Sequence, residues 1–566
     1  MQIHIAPGRV AAAALLLATA LNGQTMQLKE YDHLSAPSFA QKDYFSRLYY
    51  DPSDRVQIAD PIKLKDYVYD GKLRLSLRNY LELVLSNNTT INLQKVLIQP
   101  QRNAIQRAFS IFDPFATARW QTQRQQTPTT DALQGAATLS QLSQPLNFGY
   151  NQTLDWGTII SANYAGSKTS TNNSFANFNP AFSSNTGITI TQPLLRGRGK
   201  DIVRTPIYLA QTRLKTAEFR LEDTIMRQLV QAENAYWDLV QARENLTVQQ
   251  KALGLAKQSL DRARKELELG AISELEIFQP EATYERARIF VTQAEFRLQQ
   301  LEDALRLQMA VDLDADVRAL PIELTESALP PSENAKFDRE LLISEAFASR
   351  PDLRAVRQEL NVEDKYSLKL AGNNLRPDFS LILGYTTQGR GGPLVRRTNI
   401  FNSDGSVSPV INTVPGGPGD ALSQMFGLNF PIYAATFQLR LPLRDRRAAA
   451  DFGDALVAKR IDLMQERQLM QTIRLEISQA ISQVENSRAS VEIAHIAADL
   501  AQKRVDAEQK RYDLGVTQLF FVLQAQQDLT QAQSELLNNS VQYRRNLLNL
   551  SLRTGKLLTD RGVIIQ

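Results

Sequence analysis

A seven-residue apolar repeat, sustained along a very long helix, broken by a Leu-Gly turn and resumed in a return helix, occurs twice in this chain. In the first copy Ala232, Leu239, Leu246, Leu253, Leu260 and Leu267 run up to Leu269, Gly270, Ala271 and Ile272, and Ile277, Tyr284, Val291, Leu298 and Leu305 lead away. In the second, Ile477, Val484, Val491, Ala498, Val505 and Tyr512 run up to Leu514, Gly515, Val516 and Thr517, and Val522, Leu529, Leu536, Tyr543 and Leu550 lead away. The offset between the copies is constant. A straight helix rotates a strict heptad row away from its neighbour, so the row specifies helices that supercoil against one another. Small residues sit four positions ahead of large ones, as with Ala235, Ala242, Ala256 and Ala263, then Ala480, Ala494 and Ala501, and let helix axes approach closely. Gly270 and Gly515 suit the left-handed position just past a helix end. Each copy is therefore expected to be a helical hairpin, and the hairpins alone fit a soluble coiled-coil scaffold equally well.

The rest of the chain narrows the choice. Residues 1–24 read as a secretory signal: Arg9 ends a short basic region, Val10 to Leu21 is apolar, and Ala18 and Ala20 offer a cleavage site. The absence of cysteine excludes disulfides and a lipid-modified N-terminal cysteine. A net charge of +4 comes from interspersed Lys and Arg without a basic block, so nothing points to nucleic acid. His4, His33 and His495 are isolated, which leaves no metal-ligand cluster, and no cofactor is expected. The glycines at 197–199 and 389–392 lack the strand-to-helix phosphate motif, and no nucleophile, histidine and acid set is visible, so no enzyme is expected.

In order along the chain, residues 25–72 read as an irregular extension without a steady period. A first repeat over 73–311 has short helices from Leu73 to about Phe109, strands within 112–193 and the helical hairpin 200–310. The strands are read from alternation at Ala116, Ala118 and Trp120, around a tight turn at Asp155-Trp156-Gly157, and at Gly187 to Pro193. Thr122 to Gln144 and the stretch leading to Ser184 read as polar loops. Residues 312–340 connect the halves at an equatorial position. A second repeat over 341–558 has short helices split by Arg350-Pro351-Asp352, strands within 377–442 and the hairpin 445–556. Phe379, Leu381, Leu383 and Tyr385 alternate in one strand and Tyr433, Ala435, Phe437, Leu439 and Leu441 in its return, with Thr387 to Ser423 read as a loop; a short tail, 559–566, ends the chain.

Alternating strands in an exported chain without a membrane helix are the pattern of a transmembrane β-barrel, because a closed barrel satisfies every backbone group in lipid. Two strands per half, or four where the extra hairpin counts, fall short of the about 8 strands of the smallest bacterial barrels, so several chains must share one barrel. Helices of about 65 to 70 residues reach roughly 100 Å at 1.5 Å per residue, enough to cross a periplasm.

With these residues in place, the chain resembles the TolC family of bacterial outer membrane efflux proteins. The resemblance is carried by the two tip turns, the strand exits Gln192-Pro193-Leu194-Leu195 and Leu441-Pro442-Leu443, the Arg350-Pro351-Asp352-Leu353 segment and the duplication, over about Leu73 to Leu558. It implies a mainly α fold with a β-barrel portion: a homotrimer whose strands form one barrel in the outer membrane lipid and whose duplicated coiled-coil hairpins form a periplasmic tunnel. Substrates would leave through that tunnel without chemistry, in a tripartite efflux or a type I secretion system, driven by an inner-membrane pump of RND or ABC type and joined to it by a periplasmic adaptor (membrane fusion) protein. A periplasmic adaptor itself is the remaining alternative beside a secreted scaffold, but it would carry one hairpin and compact sandwich domains.

The resemblance also implies sites. Adaptor contact carries over to the tips, at Leu269, Gly270, Ala271, Ile272, Leu514, Gly515, Val516 and Thr517. A closed aperture carries over to Tyr512 with Glu276, whose hydrogen bond would hold the hairpins together. Where well-studied members have an aspartate ring, six and nine residues past the second glycine, this chain has Phe521 and Gln524, so Phe520 and Phe521 are expected to make an apolar constriction instead. Two further departures are expected to matter. Pro280 requires the first return helix to begin near Phe278, and the extra hairpin at Asp155 to Gly157 either stays outside the membrane or enlarges the barrel.

Overall fold

The computed structural model describes residues 64–128, 137–310, 320–329, 337–397 and 410–563. The signal segment and most of the N-terminal extension lie outside the described residues. The elements run β1 (Val68–Tyr69), β2 (Lys72–Leu75), α1 (Leu77–Asn87), α2 (Thr89–Val96), α3 (Gln99–Phe109), β3 (Phe115–Trp120), β4 (Gln123–Pro128), β5 (Thr138–Thr153), β6 (Ile159–Thr171), β7 (Ala181–Pro193), α4 (Lys200–Val203), α5 (Thr205–Glu268) and α6 (Phe278–Gln308). They continue with β8 (Ile322–Leu324), α7 (Arg339–Ser349), α8 (Pro351–Gln358), α9 (Asp364–Asn374), β9 (Asp378–Gly391), β10 (Leu394–Arg397), β11 (Val410–Val414), α10 (Pro418–Phe426), β12 (Pro431–Arg440), α11 (Arg446–Asp513), α12 (Leu519–Thr554) and α13 (Leu557–Asp560). Contacts divide the chain into two units, one holding Arg102–Thr212 and Leu360–Ile461, the other the described residues of Phe45–Gln101, Arg213–Glu359 and Asp462–Gln566.

The first unit is built on one antiparallel sheet in the order β12-β9-β7-β6-β5-β3, with β4 also on β5. The extra hairpin thus joins the same sheet as the other strands: its arms are β5 and β6, and β6 pairs with β7 along Ile159 to Thr169. Register fixes the two faces. One row runs Ala116, Tyr150, Ala162, Ile188, Tyr385, Tyr433, and the row beside it on the same face ends Ile190, Leu383, Ala435. The other face carries Thr117, Gly149, Asn163, Gly187 and Thr386 in one row and Asn151, Ser161, Thr189 and Gly384 in another. Side chains alternate across a strand, so the aromatic and aliphatic residues of the central rows gather on one face, with Thr186, Thr387 and Lys168 on it towards the α10 end, while the other face is mostly polar but also carries Phe115, Ile159, Ile382 and Ile432. Phe148, Ile188, Leu383, Tyr433, Phe437 and Leu439 on the apolar face are exposed in the single chain.

Several segments read as loops are structured. Residues 122–144 contain β4 and the start of β5, the stretch before Ser184 contains most of β6 and the start of β7, and residues 387–423 contain the end of β9, β10, β11 and most of α10. For β4 and the ends of β5 and β6 the reason is compositional: Gln, Ser and Thr occupy both faces, so no apolar beat marks them, and backbone pairing to the neighbouring strand carries them along; β10 and β11 pair only with each other, in a separate two-stranded sheet. Small residues seat α10 on the sheet. Buried Thr387 donates its hydroxyl to the Met425 carbonyl at 3.1 Å, and a Cβ on Gly389 would stand 2.0 Å from the Ala421 carbonyl oxygen. At the opposite end of the sheet the β5–β6 turn closes through Leu154 N–H to Thr158 O at 2.7 Å. Gly157 there has φ +87°, and a Cβ would lie 2.4 Å from the Gly197 carbonyl.

The second unit is helical. α5 has 64 residues and α11 has 68, returning as α6 with 31 and α12 with 36. Every large heptad position read from the sequence is buried or half-buried, and Ala242, Ala256, Ala263, Ala480 and Ala494 are buried beside them. Among the described residues no helix is long and apolar enough to cross a membrane. The first return helix begins at Phe278, so Pro280 falls in its first turn, where no intrahelical N–H bond is lost. Leu73 to Leu75, read as the start of a helix, is instead strand β2, whose four residues are too few for the sequence to reveal a period of two; it lies parallel to β8 with Leu73 opposite Ile322. The helix starts at Leu77, capped by Ser76, whose hydroxyl accepts from Asn79 N–H at 3.2 Å.

The Arg350-Pro351-Asp352 segment fixes the short helices of the second half to α11 and α12. Arg350, nearly buried, donates to Asp352 through two N–H groups at 3.0 and 2.6 Å and to Glu476 at 2.7 Å, and Arg553 meets the other oxygen of Glu476 at 2.6 Å. Burial alone would raise the Asp352 carboxyl, but the Arg350 guanidinium and the Leu353 N–H outweigh it and hold it below the ordinary carboxylate range. Around this network Ile343, Leu353, Ile473, Ile477, Val484, Tyr543 and Leu550 form one core cluster.

Candidate functional site

Both hairpin tips close in the same way. Gly270 N–H donates to Leu267 O at 2.9 Å and Ala271 N–H to Glu266 O at 2.8 Å; Gly515 N–H donates to Tyr512 O at 2.9 Å and Val516 N–H to Arg511 O at 2.9 Å. These paired bonds satisfy the last helical carbonyls and require a left-handed residue, supplied by Gly270 at φ +72° and Gly515 at φ +73°. A Cβ at either glycine would meet nothing within 4 Å. The tips are apolar and uncovered: Leu269 is 83% exposed, Leu514 78% and Val516 66%, with Ala271 also exposed. Ile272 turns inward, packing with Leu267, Tyr284 and Leu519 around Leu260, Ala263 and Ile277. Thr517 is half-buried. Leu519 comes from the second hairpin, so one small core ties the two tips together.

One helical turn above the glycines, polar groups join α5 to α11. Tyr512 Oη donates to Glu266 Oε2 at 2.6 Å, and Arg262 lies over the Tyr512 ring at 4.5 Å. The same Arg262 meets Glu266 at 2.9 Å and Asp513 at 2.5 Å. Burial, followed by the hydrogen bond to the Glu266 carboxylate, pushes the Tyr512 hydroxyl up to about 12. The Arg262 bond holds the Asp513 carboxyl below its ordinary range, and the same bond raises Arg262. The sequence reading paired Tyr512 with Glu276. In the structure Glu276 is an exposed turn residue whose N–H donates to Ser273 O at 3.0 Å, and the tyrosine's partner is Glu266. Glu276 follows Gly270 by six residues and lies in the turn region, whereas Glu266 and Tyr512 each precede their glycine by one turn.

Below this cluster Phe520 and Phe521 stand edge to face at 5.4 Å, both half-exposed. Gln524 donates to Asp528 on its own helix at 3.1 Å. Each hairpin is also stapled internally, by Arg264 to Glu281 at 3.1 Å in the first and Arg504 to Asp528 at 2.7 Å in the second. Among the described residues no group of His, Asp and Glu is placed to hold a metal ion.

Comparisons with known proteins place this geometry. Residues 342–556 match the family described as outer membrane efflux protein. The outer membrane efflux protein BepC of Brucella suis biovar 1 (strain 1330) is 24% identical over 516 residues, covering 89% of this chain and 91% of that protein. Among solved structures, the Campylobacter jejuni CmeC outer membrane channel shares the fold with TM-score 0.56 and 16% identity, over 88% of this chain and 89% of that one. The open state of the Neisseria gonorrhoeae MtrE outer membrane channel does so with TM-score 0.57 and 14% identity, over 85% and 89%. With its duplicated hairpins and its sheet, the chain shares the fold of these outer membrane channels, and its second half, residues 342–556, is similar to the outer membrane efflux protein family.

Proposed function

We propose that this protein is the exit duct of a tripartite export system, assembled as a homotrimer and passing substrates outward without chemistry. The observation that carries the reading is the sheet. Its apolar face, with Tyr433, Phe437 and Leu439 exposed, is what a lipid-facing wall requires, and a secreted scaffold would leave it in water. The helical unit supports assembly in the same terms: Ile493, Ile496 and Leu500 on α11 and Ile289, Phe290 and Phe296 on α6 are uncovered in one copy and would be covered by neighbours.

In this reading the periplasmic adaptor docks on the exposed tip residues Leu269, Gly270, Ala271, Leu514, Gly515 and Val516. Ile272 and Thr517, being packed or half-buried, shape the tips rather than meet the partner. The Tyr512, Glu266, Arg262 and Asp513 cluster holds the two hairpins of a chain together in the closed aperture, and Phe520 and Phe521 line it. The pump, of RND or ABC type, selects the substrate. The test is Gly515→Trp. The added ring enters open space and the strain of a left-handed tryptophan is confined to the tip turn, so trimer assembly is expected to survive while export in cells is lost, and Leu514→Glu, which changes the exposed tip without that strain, is expected to lose export as well; preserved export in both would remove tip docking.

A further inference from the structure

The chain leaves the sheet for its long helices at two places, and both are basic. Leu194 N–H still donates to Phe379 O at 2.7 Å and Arg440 stands opposite Asp378, with β9 between β7 and β12, so the two exits lie side by side at one end of the sheet. Their separation is roughly 10 Å, at about 4.8 Å per strand. The exits read Leu194-Leu195-Arg196-Gly197-Arg198-Gly199-Lys200 and Leu441-Pro442-Leu443-Arg444-Asp445-Arg446-Arg447, and every Lys and Arg in them is exposed. Arg376, also exposed, precedes β9 between them. The acids at this end are already engaged. Asp155 meets Arg204, Asp201 meets Lys369, Arg447 faces Asp451 at 4.0 Å, and the Asp445 carboxylate accepts from Ala448 N–H at 2.9 Å. Among the described residues no carboxylate pairs with Arg196, Arg198, Arg444 or Arg446.

We propose that these exits form a headgroup site for anionic phospholipids, phosphatidylglycerol or cardiolipin, in the membrane leaflet on the side of the long helices. This rests on the membrane reading above and adds a lipid ligand to it. Three observations carry it. The first is depth: Phe379 and Leu439 end the apolar rows, and the charges begin within a few residues of them, where headgroups meet acyl chains. The second is the mixture of side chains. Leu195 and Leu441 are exposed between the basic residues and Leu443 is 97% exposed, while the exposed ring of Trp156, from the β5–β6 turn, lies 5.5 Å beneath the Lys200 ammonium. Gly199 N–H donates to Trp156 O at 3.3 Å and holds that turn in place. Tryptophan and long cationic chains at such a boundary keep their apolar parts in lipid and their polar ends at the headgroups. The third is charge. Along the helical hairpins Arg264, Arg288, Arg504 and Arg511 each meet a carboxylate. At the exits the positive charge is unbalanced, so the partner must bring the anion. A guanidinium matches a phosphate through two parallel N–H groups. A zwitterionic lipid supplies its own cation, and an unbalanced basic cluster therefore selects a lipid with net negative charge.

The test is native mass spectrometry of the full-length protein in detergent, titrated with phosphatidylglycerol or with phosphatidylcholine of the same acyl chains. Wild type is expected to retain phosphatidylglycerol at the lower lipid concentration. Arg196→Gln, Arg444→Gln and Arg446→Gln together should weaken that binding on the order of 100-fold, at about fivefold for each basic residue, and leave phosphatidylcholine unchanged. The same three positions changed to Lys should keep the preference. A control with Lys251→Gln, Lys257→Gln and Arg297→Gln, all exposed on α5 and α6, should keep it too. Helix content by circular dichroism checks folding, and if the triple Gln variant fails to fold, the three single variants are each expected to lose about fivefold. Equal retention of the two lipids by wild type, undiminished phosphatidylglycerol binding in the Gln variants, or an equal loss in the control overturns the headgroup site. A protein that stays in solution without detergent and retains neither lipid overturns instead the membrane reading on which the site rests.

Discussion

Tyr512→Phe tests the proposed latch between the two hairpins. The substitution removes the hydroxyl that donates to Glu266 at 2.6 Å while keeping the ring under Arg262 at 4.5 Å and the Arg262–Glu266 pair at 2.9 Å. A hydrogen bond to a charged group contributes about 1.5–3 kcal/mol when buried, and the partly exposed position of Tyr512 reduces this to about 1 kcal/mol per chain. Three chains opening together would shift the closed-to-open balance by about 3 kcal/mol, on the order of 100-fold. In planar bilayers the variant is expected to show a higher open probability at unchanged full conductance, and Arg262→Ala, which also removes the contact to Asp513, a larger rise. The sign of the pH dependence is fixed. Tyr512, raised to about 12, contributes fully below its ordinary value and is lost as pH rises through the raised one. Asp513, depressed, contributes above its ordinary range and is lost as pH falls through its lowered value. The closed state should accordingly be insensitive to pH from about 5 to 9. Open probabilities equal to wild type in both variants would refute the latch.

Two more perturbations test separate parts of the account. Phe521→Ala removes one half of the aromatic pair at the aperture and is expected to raise single-channel conductance, with unchanged conductance counting against an apolar constriction. Arg350→Leu leaves the partly buried carboxylate of Asp352 without its main partner and removes one of the two arginines that hold Glu476. Breaking such a pair costs about 3–5 kcal/mol when fully buried, and about 2–3 kcal/mol here because both carboxylates remain about a quarter exposed, so denaturant unfolding should shift to a lower midpoint.

The elements that were legible in the sequence are those set by local chemistry. The heptad rows, the glycines at 270 and 515 and the start of α6 two residues ahead of Pro280 each depend on neighbours within a turn or two. The apolar parts of β7, β9 and β12 announce themselves by alternation because apolar side chains recur at every second residue. What escaped depends on distant partners. β4 and the polar ends of β5 and β6 carry Gln, Ser and Thr on both faces and exist because the strand beside them extends equally far. Pairing of β2 with β8 joins residues far apart in the chain. The choice of Glu266 over Glu276 as the partner of Tyr512 depends on how α5 and α11 lie side by side, which no spacing within either helix specifies.

The most direct test of the exit-duct reading is the mass of the purified outer membrane protein in detergent, together with its conductance in a planar bilayer. The account predicts a trimer giving small, discrete conductance steps, as expected of a duct held mostly closed at its tips. A water-soluble monomer that produces no steps would contradict it, because the apolar face of the sheet would then have no lipid to meet.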